Sequence, residues 1–138
     1  MNKEIVNTLL QKAIAARETA YCPYSGFAVG AALQSEDGQI FTGANIESAT
    51  HTPTICAERV AMFSAVHAGV RRFRAIAVVG GKADEPISQL CPPCGVCRQV
   101  LAEFCDPDFC IILSDGTQSR VLTLHDLLPL SFSKSNLD

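Results

Sequence analysis

Three cysteines in two separate segments set the strongest condition on how this chain folds. Cys94 and Cys97 belong to the run Pro-Cys-Gly-Val-Cys at residues 93–97, at the predicted start of a helix. Side chains three residues apart share one face of a helix, so these two thiols can bind the same metal ion. Cys56 lies 38 residues upstream of Cys94, at the predicted start of another apolar helix. A shared ion would require the two helix N-termini to converge.

The number of cysteines favours a metal site over disulfides. Seven cysteines in 138 residues is a high and odd count, and in a reducing compartment clustered thiols are typical of metal-binding or catalytic sites. Helix N-termini favour the thiolate, which is the form that binds zinc. Three protein ligands would leave the fourth zinc position open to water, as in catalytic zinc sites. A redox pair uses the same Cys-x-x-Cys spacing and stays the alternative for Cys94 and Cys97.

Glu58 gives this predicted site a reaction. It lies two residues after Cys56, in the first turn of the same predicted helix. From there its carboxylate can reach a zinc-bound water without binding the metal, take the proton and hand it to a substrate atom. The alternative is that Glu58 only interacts favourably with the helix dipole, as glutamates in first turns often do.

The apolar pattern predicts one domain over residues 1–138, a three-layer α/β/α fold with a mixed five-stranded sheet. Apolar residues at helical spacing predict helices, and short apolar stretches between turns predict strands. The helices are expected at residues 3–20, 55–69 and 94–104, and the strands at residues 27–34, 39–46, 74–80, 110–114 and 121–124. Alternating helices and strands are typical of a sheet covered by helices on both faces.

Composition excludes several classes of partner. Eleven Lys and Arg against fourteen Asp and Glu give a net charge of −3, which offers no general attraction to nucleic acid. No apolar run approaches the roughly 18 residues of a membrane span, and the first residues lack the pattern of a signal peptide. We therefore expect a cytoplasmic protein that acts on a small molecule.

Several separated motifs in one order resemble the small cytidine deaminases, in the branch with three cysteine zinc ligands. They are Tyr-Ser-Gly-Phe-Ala-Val-Gly-Ala-Ala at 24–32, Asn-Ile-Glu at 45–47, Cys-Ala-Glu-Arg at 56–59, Pro-Cys-Gly-Val-Cys-Arg-Gln at 93–99, and Leu-Leu-Pro at 127–129 followed by Phe132. The resemblance covers nearly the whole chain. It implies one Zn²⁺ per subunit and the hydrolysis of cytidine and 2′-deoxycytidine to uridine and 2′-deoxyuridine with release of ammonia.

The resemblance implies roles for the residues of the metal site. Cys56, Cys94 and Cys97 match the zinc ligands, and Glu58 matches the group that moves the proton. Zinc with three thiolates carries a net negative formal charge, which makes it a poorer Lewis acid than a site with one neutral His and two Cys. Arg59 matches a residue that donates hydrogen bonds to the ligand sulfurs and so offsets this charge.

The resemblance also implies a substrate pocket. Phe27 would pack against the pyrimidine, and Ala57 would bind the substrate at the helix start. Asn45 and Glu47 would hydrogen-bond the ribose 3′-hydroxyl, which an amide and a carboxylate together can do because one donates and both accept. Phe132 would enter the pocket of a neighbouring subunit in a homotetramer.

Two departures from the family pattern keep alternatives open. Cys91 forms a second Cys-x-x-Cys unit with Cys94, so a closed four-thiol structural zinc module without enzymatic activity is one alternative. The run Thr-His-Thr-Pro-Thr at residues 50–54 could alter the pocket wall near the base or sugar. A second alternative is therefore a deaminase of a modified cytidine or of a cytosine-nucleoside antibiotic, similar to blasticidin S deaminase. Polynucleotide editing would use the same chemistry, but the acidic balance counts against it.

Overall fold

A computed structural model describes residues 1–138 as a five-stranded mixed sheet between helices. The helices are α1 (Lys3–Arg17), α2 (Ala57–His67), α3 (Gly95–Phe104) and α4 (Leu124–Leu127), with a 3₁₀ helix at Lys134–Leu137. The strands are β1 (Phe27–Ser35), β2 (Ile40–Ala44), β3 (Phe73–Lys82), β4 (Cys110–Ser114) and β5 (Ser119–Thr123). The predicted mixed sheet and its five strands are confirmed. None of the helices has the length and apolar character needed to cross a bilayer.

The strand order is β2-β1-β3-β4-β5, and only β3 and β4 run parallel. β1 and β2 form a hairpin whose turn contains Gly38 at a φ of 92°, the positive φ that an Asp-Gly turn favours. β1 also pairs with β3, which places Phe27 opposite Lys82. The start of β1 and the end of β3 therefore lie side by side at one end of the sheet.

Two apolar clusters lie on opposite faces of the sheet. Ala32 of β1 packs in the cluster that includes α1, whereas its neighbours Ala31 and Leu33 pack in the cluster that includes α2 and Leu101 of α3. This alternation follows from the two-residue period of a strand. The molecule thus has the three layers that the sequence predicts, with α1 alone on one face.

Two glycines let helices touch the sheet backbone. A Cβ at Gly30 of β1 would overlap the carbonyl oxygen of Ala13 and lie 2.5 Å from the backbone nitrogen of Arg17. A Cβ at Gly43 of β2 would lie 2.6 Å from the carbonyl oxygen of Ala57. Only glycine fits such approaches, and the second of them holds the start of α2 against β2.

The ends of several elements differ from the prediction by a few residues. Cys56 is extended, with φ −76° and ψ 154°, and precedes α2 as its N-cap. Ile55 forms an isolated bridge with Ile46 instead of a helical turn. α1 ends at Arg17, three residues earlier than predicted. α4 and the 3₁₀ helix were not predicted, because segments of four residues carry little periodic signal.

Candidate active site

The starts of α2 and α3 bring three thiols together. Cys56 and Cys94 are the N-caps of these helices, both have extended backbones, and neither side chain caps its own helix. The Sγ atoms of Cys56, Cys94 and Cys97 all lie within 4.8 Å of one another. The predicted convergence of two helix N-termini is therefore present, and we call these three residues the thiol cluster.

The geometry of the thiol cluster fits one zinc ion. Tetrahedral zinc with Zn–S distances of about 2.3 Å places its sulfurs about 3.8 Å apart. The Sγ atoms of Cys56 and Cys94 are 3.8 Å apart. A hydrogen bond with the Cys97 thiol, assisted by Arg59, lowers the pKa of Cys56 to about 5. Cys56 thus favours the thiolate that a zinc ligand must be, whereas the same hydrogen bond, together with burial, raises the pKa of Cys97.

Cys91 lies outside the thiol cluster. Its Sγ occupies the space beside Gly80 of β3, where an added Cβ would lie 2.7 Å from that sulfur. Burial raises the pKa of the Cys91 thiol to about 11, which opposes the thiolate form. The alternative of a closed four-thiol site is wrong for this fold, because Cys91 packs on the sheet instead.

Glu58 is a buried carboxylate beside the thiol cluster. It lies in the first turn of α2 and is only 5% exposed. Burial raises its pKa to about 7, the negative charge of Cys56 adds to this, and a hydrogen bond with Cys97 opposes it. A carboxyl group with a pKa near neutrality can both accept and donate a proton.

Arg59 faces the same sulfurs. Its Nη2 donates to the Cys56 Sγ at 3.4 Å, and this hydrogen bond raises the pKa of Arg59. Its Nε is buried and has no acceptor. The guanidinium therefore places positive charge on the thiol cluster, as expected for a residue that offsets thiolate charge.

A second cluster contains Phe27, Asn45 and Glu47. Asn45 follows β2, accepts from the Val29 N–H at 2.9 Å and donates to the Phe27 carbonyl at 2.8 Å. Glu47 accepts from the backbone N–H of Tyr24 at 2.9 Å. Asn45 thus holds the start of β1 and Glu47 holds the turn before it, while the Phe27 side chain is 42% exposed.

The backbone connects this second cluster to the metal site. Ile46 lies between Asn45 and Glu47 and forms two backbone hydrogen bonds with Ile55, at 3.0 and 2.9 Å. Cys56 follows directly. The amide and carboxylate predicted to bind ribose are therefore one short bridge away from the predicted zinc ligands.

The run at residues 50–54 lies beside Glu47. His51, at a φ of 63°, meets the Tyr24 ring edge to face with 6.2 Å between centroids. Tyr24, Ser25, Glu47, His51 and Thr54 line a cavity of about 300 Å³. The unusual run therefore does form a wall near the predicted sugar-binding residues.

Phe132 lies apart from both clusters. It is 61% exposed, on the chain that follows α4. The Gln99 side chain of α3 donates to its carbonyl at 2.8 Å. Ala57, by contrast, is fully buried as the first residue of α2, beside the thiol cluster. Phe132 thus forms no hydrogen bond with either cluster.

Sequence reasoning assigned no role to Arg98. Its Nε donates to the Pro93 carbonyl and its Nη1 to the Leu127 carbonyl, both at 2.7 Å. The side chain thus joins the residue before Cys94 to the C-terminal segment. Its place next to Cys97 in the motif marked Arg98 as a candidate. Its hydrogen bond to Leu127, 29 residues away, leaves no local sequence pattern.

The chemistry of this arrangement defines a class of protein. A zinc ion held by the thiol cluster would have a fourth coordination position open, and the buried Glu58 carboxyl lies beside the cluster, where it could accept a proton. This combination is typical of zinc-dependent hydrolases.

Comparison with known proteins gives the family. The sequence profile of the cytidine and deoxycytidylate deaminase zinc-binding region matches residues 3–113. The chain belongs to this family, and its cofactor is zinc.

Relatives and solved structures agree with this assignment. A cytidine deaminase of Sporosarcina psychrophila is 47% identical over 96% of this chain and 94% of its own length. The crystal structure of a cytidine deaminase from Burkholderia pseudomallei has a TM-score of 0.85 and 44% identity, over 96% of this chain and all of that one. A blasticidin-S deaminase of Bacillus cereus is more distant, at 29% identity over 78% of each chain.

Proposed function

We propose that residues 1–138 form one zinc-dependent cytidine deaminase domain. It hydrolyses cytidine and 2′-deoxycytidine to uridine and 2′-deoxyuridine and releases ammonia. The observation that carries the proposal is the burial of Glu58 beside the three converging thiols. Near full-length similarity to proteins named cytidine deaminase supports this substrate class over an antibiotic nucleoside.

The thiol cluster would hold the zinc ion. When bound, zinc supplies the Lewis acidity that activates water for attack. The Arg59 guanidinium, bonded to the Cys56 sulfur, draws negative charge from the thiolates and so preserves this acidity. The N-termini of α2 and α3 act in the same direction through their dipoles.

Glu58 moves the protons of the reaction. Its carboxylate takes a proton from water and delivers it to N3 of the pyrimidine while the water oxygen bonds to C4. The carboxylate then takes the second proton from the hydroxyl on C4 and passes it to the exocyclic nitrogen, and the C4–N bond breaks to release ammonia as the C4 carbonyl forms. Its raised pKa suits both the acceptance and the donation of the proton.

The second cluster would bind the nucleoside. Phe27 packs on the pyrimidine ring, and the Ala57 N–H is among the helix N-terminal amides without an intrahelical acceptor, so it can hold a polar substrate atom. Asn45 and Glu47 use part of their hydrogen-bonding capacity on β1 and have lone pairs left for the ribose 3′-hydroxyl.

The active unit is proposed to be a homotetramer in the cytoplasm. The exposure of Phe132, outside its own subunit's site, supports a role in a neighbouring pocket. All seven cysteines are unpaired, which is consistent with a reducing compartment.

The fall in ultraviolet absorbance on deamination tests this function. Purified zinc-loaded protein should turn over cytidine and 2′-deoxycytidine and leave blasticidin S nearly unchanged. Glu58→Gln should lower kcat by about 10²- to 10⁴-fold at an unchanged zinc content. Glu103→Gln, the same change at an exposed position of α3, is the matched control. Preferential turnover of blasticidin S, or full activity of Glu58→Gln, would overturn the proposal.

A further inference from the structure

Arg17 is a buried cation that contacts three backbone carbonyls in two other segments of the chain. It is the last residue of α1 and is 8% exposed. Its Nε donates to the Ala28 carbonyl at 3.1 Å, and its Nη2 donates to the carbonyls of Lys82 at 2.6 Å and Glu85 at 3.0 Å. One guanidinium thus joins the end of α1, the start of β1 and the chain that follows β3.

The partners of Arg17 are all backbone carbonyls. The one ion pair of the structure joins Lys82 to Glu85, so no carboxylate neutralises Arg17. Burying a charge is costly unless it is fully hydrogen-bonded, and three carbonyls of two segments can satisfy it only while those segments keep their positions relative to α1. The hydrogen bonds of Arg17 therefore favour one arrangement of α1, the start of β1 and the chain at the end of β3.

The backbone of Arg17 is also held in place, because it packs against Gly30 of β1. At Gly30 the backbone of α1 rests directly on β1, where an added Cβ would lie 2.5 Å from the Arg17 nitrogen. At Gly81 an added Cβ would lie 3.6 Å from the Arg17 Nη2, an ordinary contact. The backbone of Arg17 is thus held against β1, and its guanidinium lies beside β3.

The segments that Arg17 joins carry the proposed base-stacking residue and its surroundings. Phe27 precedes Ala28 and pairs with Lys82, and the Ala83 N–H donates to the Gly26 carbonyl at 2.8 Å. Asn45 holds this part of β1 from the β2 side, whereas Arg17 links it to the end of β3. A cavity of about 330 Å³ opens here between Phe27 and the chain after β3.

We infer that Arg17 is a positioning residue for substrate binding. It sets the spacing between residues 26–30, which carry Phe27, and residues 82–86, and so fixes the wall against which the base packs. This inference rests on the proposed function, because it takes Phe27 as the residue that contacts the pyrimidine. None of the Arg17 hydrogen bonds reaches α2 or α3, so the proton-transfer machinery does not depend on it directly.

Arg17→Lys tests the inference with little change in size or charge. Lysine has one ammonium nitrogen and cannot donate from two separate nitrogens to three carbonyls in two segments. We expect KM for cytidine to rise about tenfold, the scale of a lost hydrogen bond to a charged group, with kcat and zinc content near wild type. Arg71→Lys is the matched control, because the Arg71 side chain also donates to two carbonyls but lies exposed and bonds only locally.

Amide hydrogen exchange gives a readout that does not need turnover. In Arg17→Lys, residues 26–30 and 82–86 should exchange about tenfold faster, while α2 and α3 exchange as in the wild type. Unchanged KM and exchange would overturn the inference. Uniformly faster exchange, with kcat, KM and zinc content all impaired, would also overturn it, because it would indicate a general stabilising role. A wild-type protein without deaminase activity would contradict the proposed function, and exchange would still decide whether Arg17 fixes these segments.

Discussion

At the scale of single residues, the cysteines near the metal site differ in what surrounds them. The thiol cluster lies at two helix N-termini, where dipoles and Arg59 favour thiolates. Cys91, three residues before Cys94, packs against Gly80 of the sheet and keeps its proton because burial raises its pKa to about 11. The sequence spacing made Cys91 a candidate zinc ligand. The structure excludes it because its side chain packs on β3, away from the thiol cluster.

Cys91→Ser should therefore keep close to one zinc per chain. Serine can occupy the small space beside Gly80, and the three remaining thiols are untouched. Cys94→Ser, the same change within the thiol cluster, should lose most of the zinc. Metal content after dialysis, measured by atomic emission, distinguishes the two variants. Loss of zinc from Cys91→Ser at a normal far-ultraviolet spectrum would contradict the three-thiol assignment.

Arg59→Gln should reduce activity more than stability. It removes the hydrogen bond to the Cys56 sulfur and the positive charge beside the thiolates. Changes to groups that hydrogen-bond metal ligands typically cost about 10- to 100-fold in activity or metal affinity, and we expect that loss in kcat/KM. Arg74→Gln, an exposed arginine that donates to the Glu36 carbonyl, should match wild type. Equal kinetics for both variants would show that Arg59 does not tune the metal.

At the scale of elements, the site depends on how closely helices lie on the sheet. α1 reaches the sheet backbone at Gly30, and α2 does so at Gly43. The contact at Gly43 lies next to the start of α2, where Cys56 and Glu58 are found. Gly43 thus allows the start of α2 to lie on the sheet, and the start of α2 positions Cys56 and Glu58.

Gly30→Ala should destabilise the fold. Its Cβ would overlap the Ala13 carbonyl oxygen, which is helix backbone and cannot move aside without shifting α1. We expect a loss of about 1–3 kcal/mol in the free energy of unfolding. Thermal or urea denaturation measures this. Gly81→Ala, with its nearest atom 3.6 Å away, is the matched strand control and should be close to neutral. Equal stability of the two variants would mean that α1 does not lie this close to β1.

Most helices and strands, and the convergence of the three thiols, could be predicted from the sequence. Apolar periodicity identified the three long helices and all five strands, and the convergence of Cys56 with Cys94 and Cys97 followed from their places at helix starts. What could not be predicted depends on contacts between distant segments. The Arg17 hydrogen bonds join residues 11 to 68 positions apart, and no local pattern records such pairs.

At the scale of the whole molecule, several large apolar side chains remain exposed. Ile46, Phe63, Val96 and Phe132 lie on or beside the elements that carry the site, and each is more than 40% exposed. Contiguous exposed apolar surface marks interaction sites, and the proposed homotetramer would cover these side chains. Sedimentation of the purified protein should give the mass of four chains, and a monomer at micromolar concentration would contradict the proposed assembly.

A mixing experiment tests whether Phe132 serves a neighbouring pocket. Phe132→Ala should raise KM with little change in zinc content, and Glu58→Gln should be almost inactive. In mixed tetramers a pocket with intact Glu58 can receive Phe132 from a Glu58→Gln chain. Random assembly of equal amounts supplies it to about half of those pockets, since each neighbour is drawn from either chain.

Co-refolding the two variants should therefore restore a component with wild-type KM. The separately refolded proteins, mixed only in the assay, are the control and should not show it. If co-refolding leaves KM at the Phe132→Ala value, Phe132 acts within its own subunit or not at all. The tail after α4, which accepts a hydrogen bond from Gln99 of α3, would then have a structural role, and the pocket would be complete within one chain.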